Sequence, residues 1–139
     1  MVGAIVVANP FGDILNEQGR IIAGAHRDDG EYLNSLEALA GGEMRNPLKT
    51  APANTTLAVV VTNARLDKAA CQQVARMATC GLARHIAPFN TLMDGDLVIC
   101  VSMGELGSHA LTIGAMADLA CARALLSAGD FKPIAELAS

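Results

Sequence analysis

Three places in this sequence hold residue types that can do chemistry. The first is Asn54-Thr55-Thr56, where a long polar stretch meets an apolar, β-branched run. A threonine hydroxyl is a weak nucleophile until a base takes its proton. A threonine at a chain N-terminus carries that base in its own α-amine, whose pKa of about 8 lies near working pH. Exposing such an amine on Thr55 requires cleavage after Asn54, and the polar stretch ahead of it suits a cut. The second place is Asp94-Gly95-Asp96, where two carboxylates about a glycine can orient an amine or hydroxyl and stabilise an ammonium ion. The third is Asn9, ahead of Pro10, whose side-chain amide can donate to a developing oxyanion. Each has a plainer reading alone: a Thr-rich strand start, a capped Asp-Gly turn and a turn asparagine.

The elements that must position these residues follow from the apolar pattern. Val2 to Ala8 is a continuous apolar run rich in β-branched residues, which predicts a buried strand ended by Asn9-Pro10-Phe11-Gly12. Ile14-Leu15 and Arg20 to Ala25, joined by Asn16-Glu17-Gln18-Gly19, predict a hairpin. From His26 to Ala53 the chain is polar and rich in Gly, Asn and Pro, with one helical turn expected around Leu33 to Leu39. So long a span predicts a functional or partner-binding segment. Thr55 to Thr62 is the next strand. Asp67 then caps a helix to about Arg84, with Lys68, Gln72, Arg76 and Thr79 on its wet face. Asp96 to Ser102 is a third long strand. Ser108 is the expected cap of a last helix reaching Ala128, closed by Gly129. That helix is apolar nearly all round, which predicts contacts on two sides.

Composition sets the bounds. With 139 residues the chain is expected to form a single domain with a real core, and 52% apolar against 17% charged residues predicts a sheet buried on both faces or against a partner. The net charge is −4, the basic residues are scattered, and aromatics make up 3%, so no nucleic-acid partner is expected. No 18-residue apolar stretch lacks a charge, and the apolar N-terminus has no basic flank, so no membrane association is expected either. Cys71, Cys80, Cys100 and Cys121 form no C-x-x-C pair and sit in apolar runs. They read as buried free thiols in a reducing cytoplasm. His26, His85 and His109 share no metal-ligand spacing, and neither metal nor cofactor is expected.

Taken in order, Asn9-Pro10-x-Gly12, Asn54-Thr55-Thr56 opening L-A-V-V-V-T-N, Gly81-Leu82-Ala83-Arg84-x-Ile86-x-Pro88 and Thr91-x-x-Asp94-Gly95-Asp96 resemble one family. It is the self-processing family of L-aminopeptidase/D-esterases, β-peptidyl aminopeptidases and nylon-oligomer (6-aminohexanoate oligomer) hydrolases, in the branch that uses threonine. The resemblance covers essentially the whole chain. It implies an α+β protein, part of an αββα sandwich of the N-terminal-nucleophile-like type shared with ornithine acetyltransferases. It also implies self-cleavage into α and β chains that stay together and form homotetramers of αβ units. Residues 1–54 would be the end of the α segment with its processing loop, and 55–139 the β segment. Thr55 would be the nucleophile, Asn9 an oxyanion-hole donor, and Asp94 and Asp96 would orient the α-amine and hydroxyl. The substrate would be a small peptide or other amide.

Two departures qualify the resemblance. The chain is less than half of such a precursor, so the remaining strands and a lysine or tyrosine near the nucleophile are expected from another segment or chain. Asn90 stands where a histidine commonly precedes the threonine. Two alternatives stay open at this point: a truncated relative that oligomerises without catalysis, and an acyltransferase of the ornithine acetyltransferase type.

Overall fold

A computed structural model describes residues 1–42 and 54–128. The elements run β1 (Val2–Asn9), β2 (Asp13–Leu15), β3 (Ile21–Ala23), α1 (Ser35–Ala40), β4 (Thr55–Ala64), α2 (Lys68–Ala83), β5 (Ile86–Ala87), β6 (Leu97–Leu106) and α3 (Ala110–Leu126). The chain is thus mixed α+β. Among the described residues two three-stranded sheets form, in the orders β1-β4-β6 and β3-β2-β5. In the larger sheet β1 runs antiparallel to β4 and β6 parallel to it, and α2 makes the crossover that a parallel pair needs.

Strand alternation divides that sheet into two unlike faces. Ala58 and Val60 of β4 point toward α2 and α3. There they meet Val74, Ala78, Ile113, Ala117 and Cys121 in the core, with Val6 of β1 and Val98 of β6 packed at its margin. The two helices come close at Gly81, where a β-carbon would lie 2.2 Å from the carbonyl oxygen of Asp118. The Arg84 guanidinium closes the contact by gripping both carboxylate oxygens of Asp118, an arrangement that raises its pKa further. Gly81 and Arg84 of the G-L-A-R segment therefore serve helix packing.

On the opposite face Ile5, Val7 and Leu57 remain 69%, 63% and 45% exposed. They stand in register with one another and with Leu97 and Ile99, in the rows Val7–Leu57–Leu97 and Ile5–Val59–Ile99. Among the described residues the sheet is covered on one face only; composition predicted a sheet buried on both faces or against a partner.

The expected helix over 67–84 forms as α2, with Asp67 Oδ1 accepting from Ala70 N–H at 2.8 Å. The last helix is capped one residue later than predicted. His109, in extended backbone, takes the Leu111 N–H on its Nδ1, so Ser108 lies outside the helix. The closing Gly129 and the 43–53 part of the polar stretch lie outside the described residues. The expectation of four buried cysteines is corrected: Cys121 is buried, Cys71 and Cys100 are half-buried, and Cys80 is exposed. The reason is helical phase. Cys80 follows exposed Arg76 by one turn of α2 and shares its wet face.

Candidate active site

The three chemistry-bearing segments of the sequence converge at one end of the large sheet. Asn9 closes β1 directly opposite Thr55, which opens β4. Directly opposed residues of an antiparallel pair hold their β-carbons about 5 Å apart, so the Asn9 amide and the Thr55 hydroxyl are neighbours on the open face. On the other side of β4 the parallel pairing with β6 reaches back to a bridge between Asn54 and Asp94. Gly95 therefore stands beside Thr55, in the row Asn9–Thr55–Gly95. A β-carbon at Gly95 would lie 3.0 Å from Thr55 Oγ1.

The two adjacent threonines part company here. Thr55 is half-buried on the open face. Thr56 points into the helical layer, is completely buried, and its hydroxyl finds no hydrogen-bond partner among the described residues. Strand parity alone makes Thr56 a core residue and Thr55 the accessible hydroxyl.

The Asn54 carbonyl oxygen accepts two hydrogen bonds, one from Thr55 Oγ1 at 2.5 Å and one from Gly95 N–H at 2.9 Å. Around it the two aspartates act as clamps on backbone. Asp94 takes the Phe11 N–H on Oδ1 at 2.9 Å, and on Oδ2 both the Thr91 N–H at 3.1 Å and the Thr91 hydroxyl at 2.6 Å. Asp96 takes the Thr56 N–H at 2.6 Å and the Asn90 N–H at 3.1 Å. Asn90 itself sits in left-handed backbone (φ 56°), a conformation asparagine tolerates well. The carboxylates thus tie together the turn after β1, the head of β4 and the segment before β6, and the Thr55 hydroxyl goes to Asn54.

Thr91 and the N–H groups of Phe11 and Gly95 are site components that residue typing did not single out. Thr91 and Gly95 stood in the motif. The Phe11 amide left no signal, since any residue type supplies one. A cavity of about 150 Å³ opens beside Asn9, lined by Pro10, Gly12, Ile14, Ala23 and Gly24 among others. A larger one of about 320 Å³, lined by Val2, Val61 and Met103 among others, lies at the far end of the sheet.

The remaining reactive side chains have other uses. Burial pushes the Cys121 thiol up to about 11 with Asp118 adding to it, and burial and the neighbouring Cys71 thiol push Cys100 up to about 11. Both therefore stay protonated, and poor nucleophiles, at neutral pH. His85 Nδ1 lies 3.1 Å from the Leu15 carbonyl oxygen, His26 stacks on Tyr32, and His109 caps α3. No cluster among the described residues has the side chains to hold a metal ion, and no helix among them is long and apolar enough to cross a membrane.

Among known proteins the chain is similar to peptidases and oligomer hydrolases. It is 37% identical to an uncharacterized aminopeptidase of Mycobacterium leprae, over 91% of this chain and 40% of the relative. It is 31% identical, with the same 91% and 40% coverage, to 6-aminohexanoate-oligomer endohydrolases of Agromyces sp. and Paenarthrobacter ureafaciens. The sequence matches peptidase family S58 over residues 1–136, and the chain belongs to that family. It spans about two-fifths of the length of these curated relatives.

Proposed function

We propose that this chain carries the catalytic end of an amide hydrolase that processes itself and then works through Thr55 as an N-terminal nucleophile. One observation carries the reading. The Thr55 hydroxyl lies on the carbonyl of the bond that must break, 2.5 Å from the Asn54 oxygen, at the head of a strand opposite Asn9. In processing, Thr55 Oγ1 adds to the Asn54 carbonyl carbon. The Asn54–Thr55 C–N bond breaks, and the hydroxyl proton passes to the departing nitrogen. Water then hydrolyses the resulting ester, freeing an Asn54 carboxylate and a Thr55 with both α-amine and hydroxyl.

In turnover that amine takes the hydroxyl proton as Oγ1 attacks the substrate amide. Asn9 donates to the oxyanion. Asp94 and Asp96 hold the surrounding backbone in place, and the amine product leaves before water releases the acyl group. The names of the relatives favour amide bonds of small peptides or amino-acid oligomers. The open apolar face of β1-β4-β6 fits one half of an αββα sandwich, with residues 55–139 as the β segment, and the apolar outer face of α3 fits assembly into a homo-oligomer.

Intact mass under denaturing conditions tests the proposal. Freshly made chain should resolve into two fragments split between Asn54 and Thr55. Thr55→Ala should stay whole and inactive, while Thr55→Ser should cleave in part. A wild-type chain that remains intact would favour a non-catalytic relative.

A further inference from the structure

The Asn54 carbonyl oxygen has two lone pairs, and both are engaged by groups placed for its reaction. One takes the Thr55 hydroxyl at 2.5 Å, the nucleophile itself. The other takes the Gly95 N–H at 2.9 Å. We infer that the Gly95 backbone N–H is the oxyanion donor for self-cleavage, and that residue 95 is glycine because a side chain there would crowd the attacking hydroxyl. The inference rests on the self-cleavage proposed above and assigns it a residue that the substrate-directed role of Asn9 leaves open.

When Thr55 Oγ1 adds to the Asn54 carbon, the π electrons move onto the oxygen that Gly95 already touches. A hydrogen bond to a neutral carbonyl then becomes one to an alkoxide, and charge-assisted bonds are roughly twice as strong as neutral ones. A donor that gains strength as charge develops lowers the barrier, whereas one equally strong before and after only binds.

The donor is fixed in advance. Gly95 lies between two clamped residues, with Asp94 bonded to Phe11 and Thr91 and Asp96 bonded to Thr56 and Asn90. Its N–H therefore needs little reorganisation during the reaction. The same peptide unit belongs to the isolated parallel bridge between Asn54 and Asp94, which continues the β4–β6 register and explains how the fold places a donor there without a dedicated side chain. On the other side, a β-carbon at Gly95 would stand 3.0 Å from Thr55 Oγ1 and 3.8 Å from the Asn54 oxygen. Any side chain would press on the nucleophile.

The test replaces the Gly95 amide N–H by an ester oxygen, by incorporating glycolic acid at position 95 of the full chain in cell-free synthesis. Alkaline hydrolysis at that bond verifies incorporation. Self-cleavage is followed from synthesis onward by intact mass, and folding is checked by melting of the same substitution in a Thr55→Ala background. Removing one oxyanion donor should slow cleavage by about 100-fold or more, with the chain still melting cooperatively.

A second variant, Gly95→Ala, keeps the N–H but crowds Oγ1. It should slow cleavage by about tenfold or more, and it tests, whether or not the ester chain folds, why residue 95 is glycine. A folded ester chain that cleaves at the wild-type rate overturns the role of Gly95 and leaves Thr55 self-cleavage standing. Wild-type cleavage by Gly95→Ala overturns the steric reason for glycine at 95. A wild-type chain that never cleaves overturns both.

Discussion

Asp96→Asn is the substitution whose cost can be worked from single atoms. The carboxylate accepts the Thr56 N–H on one oxygen and the Asn90 N–H on the other, at 2.6 and 3.1 Å. A carboxamide of the same shape has one oxygen and one NH₂ group. With its oxygen kept on Thr56, the NH₂ faces the Asn90 N–H, donor against donor. The Thr56 bond falls from charge-assisted to neutral, losing about 1 kcal/mol, and the exposed Asn90 amide turns to water for about 1 kcal/mol more. The sum of about 2 kcal/mol should lower the melting temperature by roughly 6–10 °C in a chain of this size. A simple cap would cost about half that.

The kinetic effect should be larger than the thermal one. The bond to Thr56 N–H fixes the peptide plane that follows Thr55, and hence where Oγ1 points. Misplacing a reacting atom by about 1 Å costs about 100-fold in rate. Melting is measured in a Thr55→Ala background so that cleavage does not change the molecule, and the rate is read from fragment appearance with Thr55 present. An unchanged melting temperature refutes the hydrogen-bond accounting. A lowered melting temperature with cleavage within about threefold of wild type refutes the positioning argument and leaves Asp96 a structural clamp.

Two further outcomes follow from burial. Thr56→Val exchanges a buried hydroxyl without a partner among the described residues for a methyl of the same shape. It should stabilise the chain by about 1 kcal/mol in denaturant unfolding and leave self-cleavage untouched; lost cleavage would make Thr56 a participant. Cys121 is raised from 9.0 to about 11, first by burial. The fold thus holds it neutral where the unfolded chain ionises, and its contribution is full below 9.0 and lost as pH climbs toward 11. Unfolding midpoints should fall across that window, Cys121→Ala should flatten part of the slope, and an unaltered slope would refute the assignment.

What the sequence displayed and what it hid divide along physical lines. The cores of β1, β4, β6 and α2 were legible because burial on the helical face demands apolar residues, and Asp67 announced where α2 starts. The ends of β4 and β6 were not. They run on to Ala64 and Leu106 because Ser102 Oγ donates to the Ala64 carbonyl and accepts from Leu66 N–H, a polar continuation of pairing that hydropathy does not mark. Two-residue β5 has no periodicity to read, and it exists because Ile86-Ala87 pairs with Asp13-Ile14. Asp13 carries no signal in the sequence, where it is one acid beside Ile14 and Leu15. Buried, it takes the Ser35 N–H and hydroxyl and the Ala25 N–H, and so fixes the start of α1 to the hairpin. Of the candidate site, residue types gave Asn9, Thr55, Asp94 and Asp96. Their convergence depends on register, and no pattern within one strand states which residue of another lies opposite.

Parity and register together also say why the site and the open sheet face form one problem. Thr55 and Asn9 occupy the first row of the face whose next rows are Val7–Leu57–Leu97 and Ile5–Val59–Ile99. That face exposes apolar side chains that water solvates poorly, and the nearest of them, Leu57, is two residues from Thr55 along the same strand. Oxyanion stabilisation at Thr55 has its full value only where water is excluded and the dielectric is low. Any element that covers Val7 and Leu57 comes within two residues' rise, about 7 Å, of Thr55 and Asn9, and so also walls the reacting atoms. Burying the apolar rows and drying the nucleophile are then the same event, driven by apolar area and used at the hydroxyl. The groups that act inside the chain need no such cover: the Asn54 carbonyl, the Thr55 hydroxyl and the Gly95 N–H already lie in contact. Self-cleavage is therefore expected to tolerate an open face better than turnover of an outside substrate does.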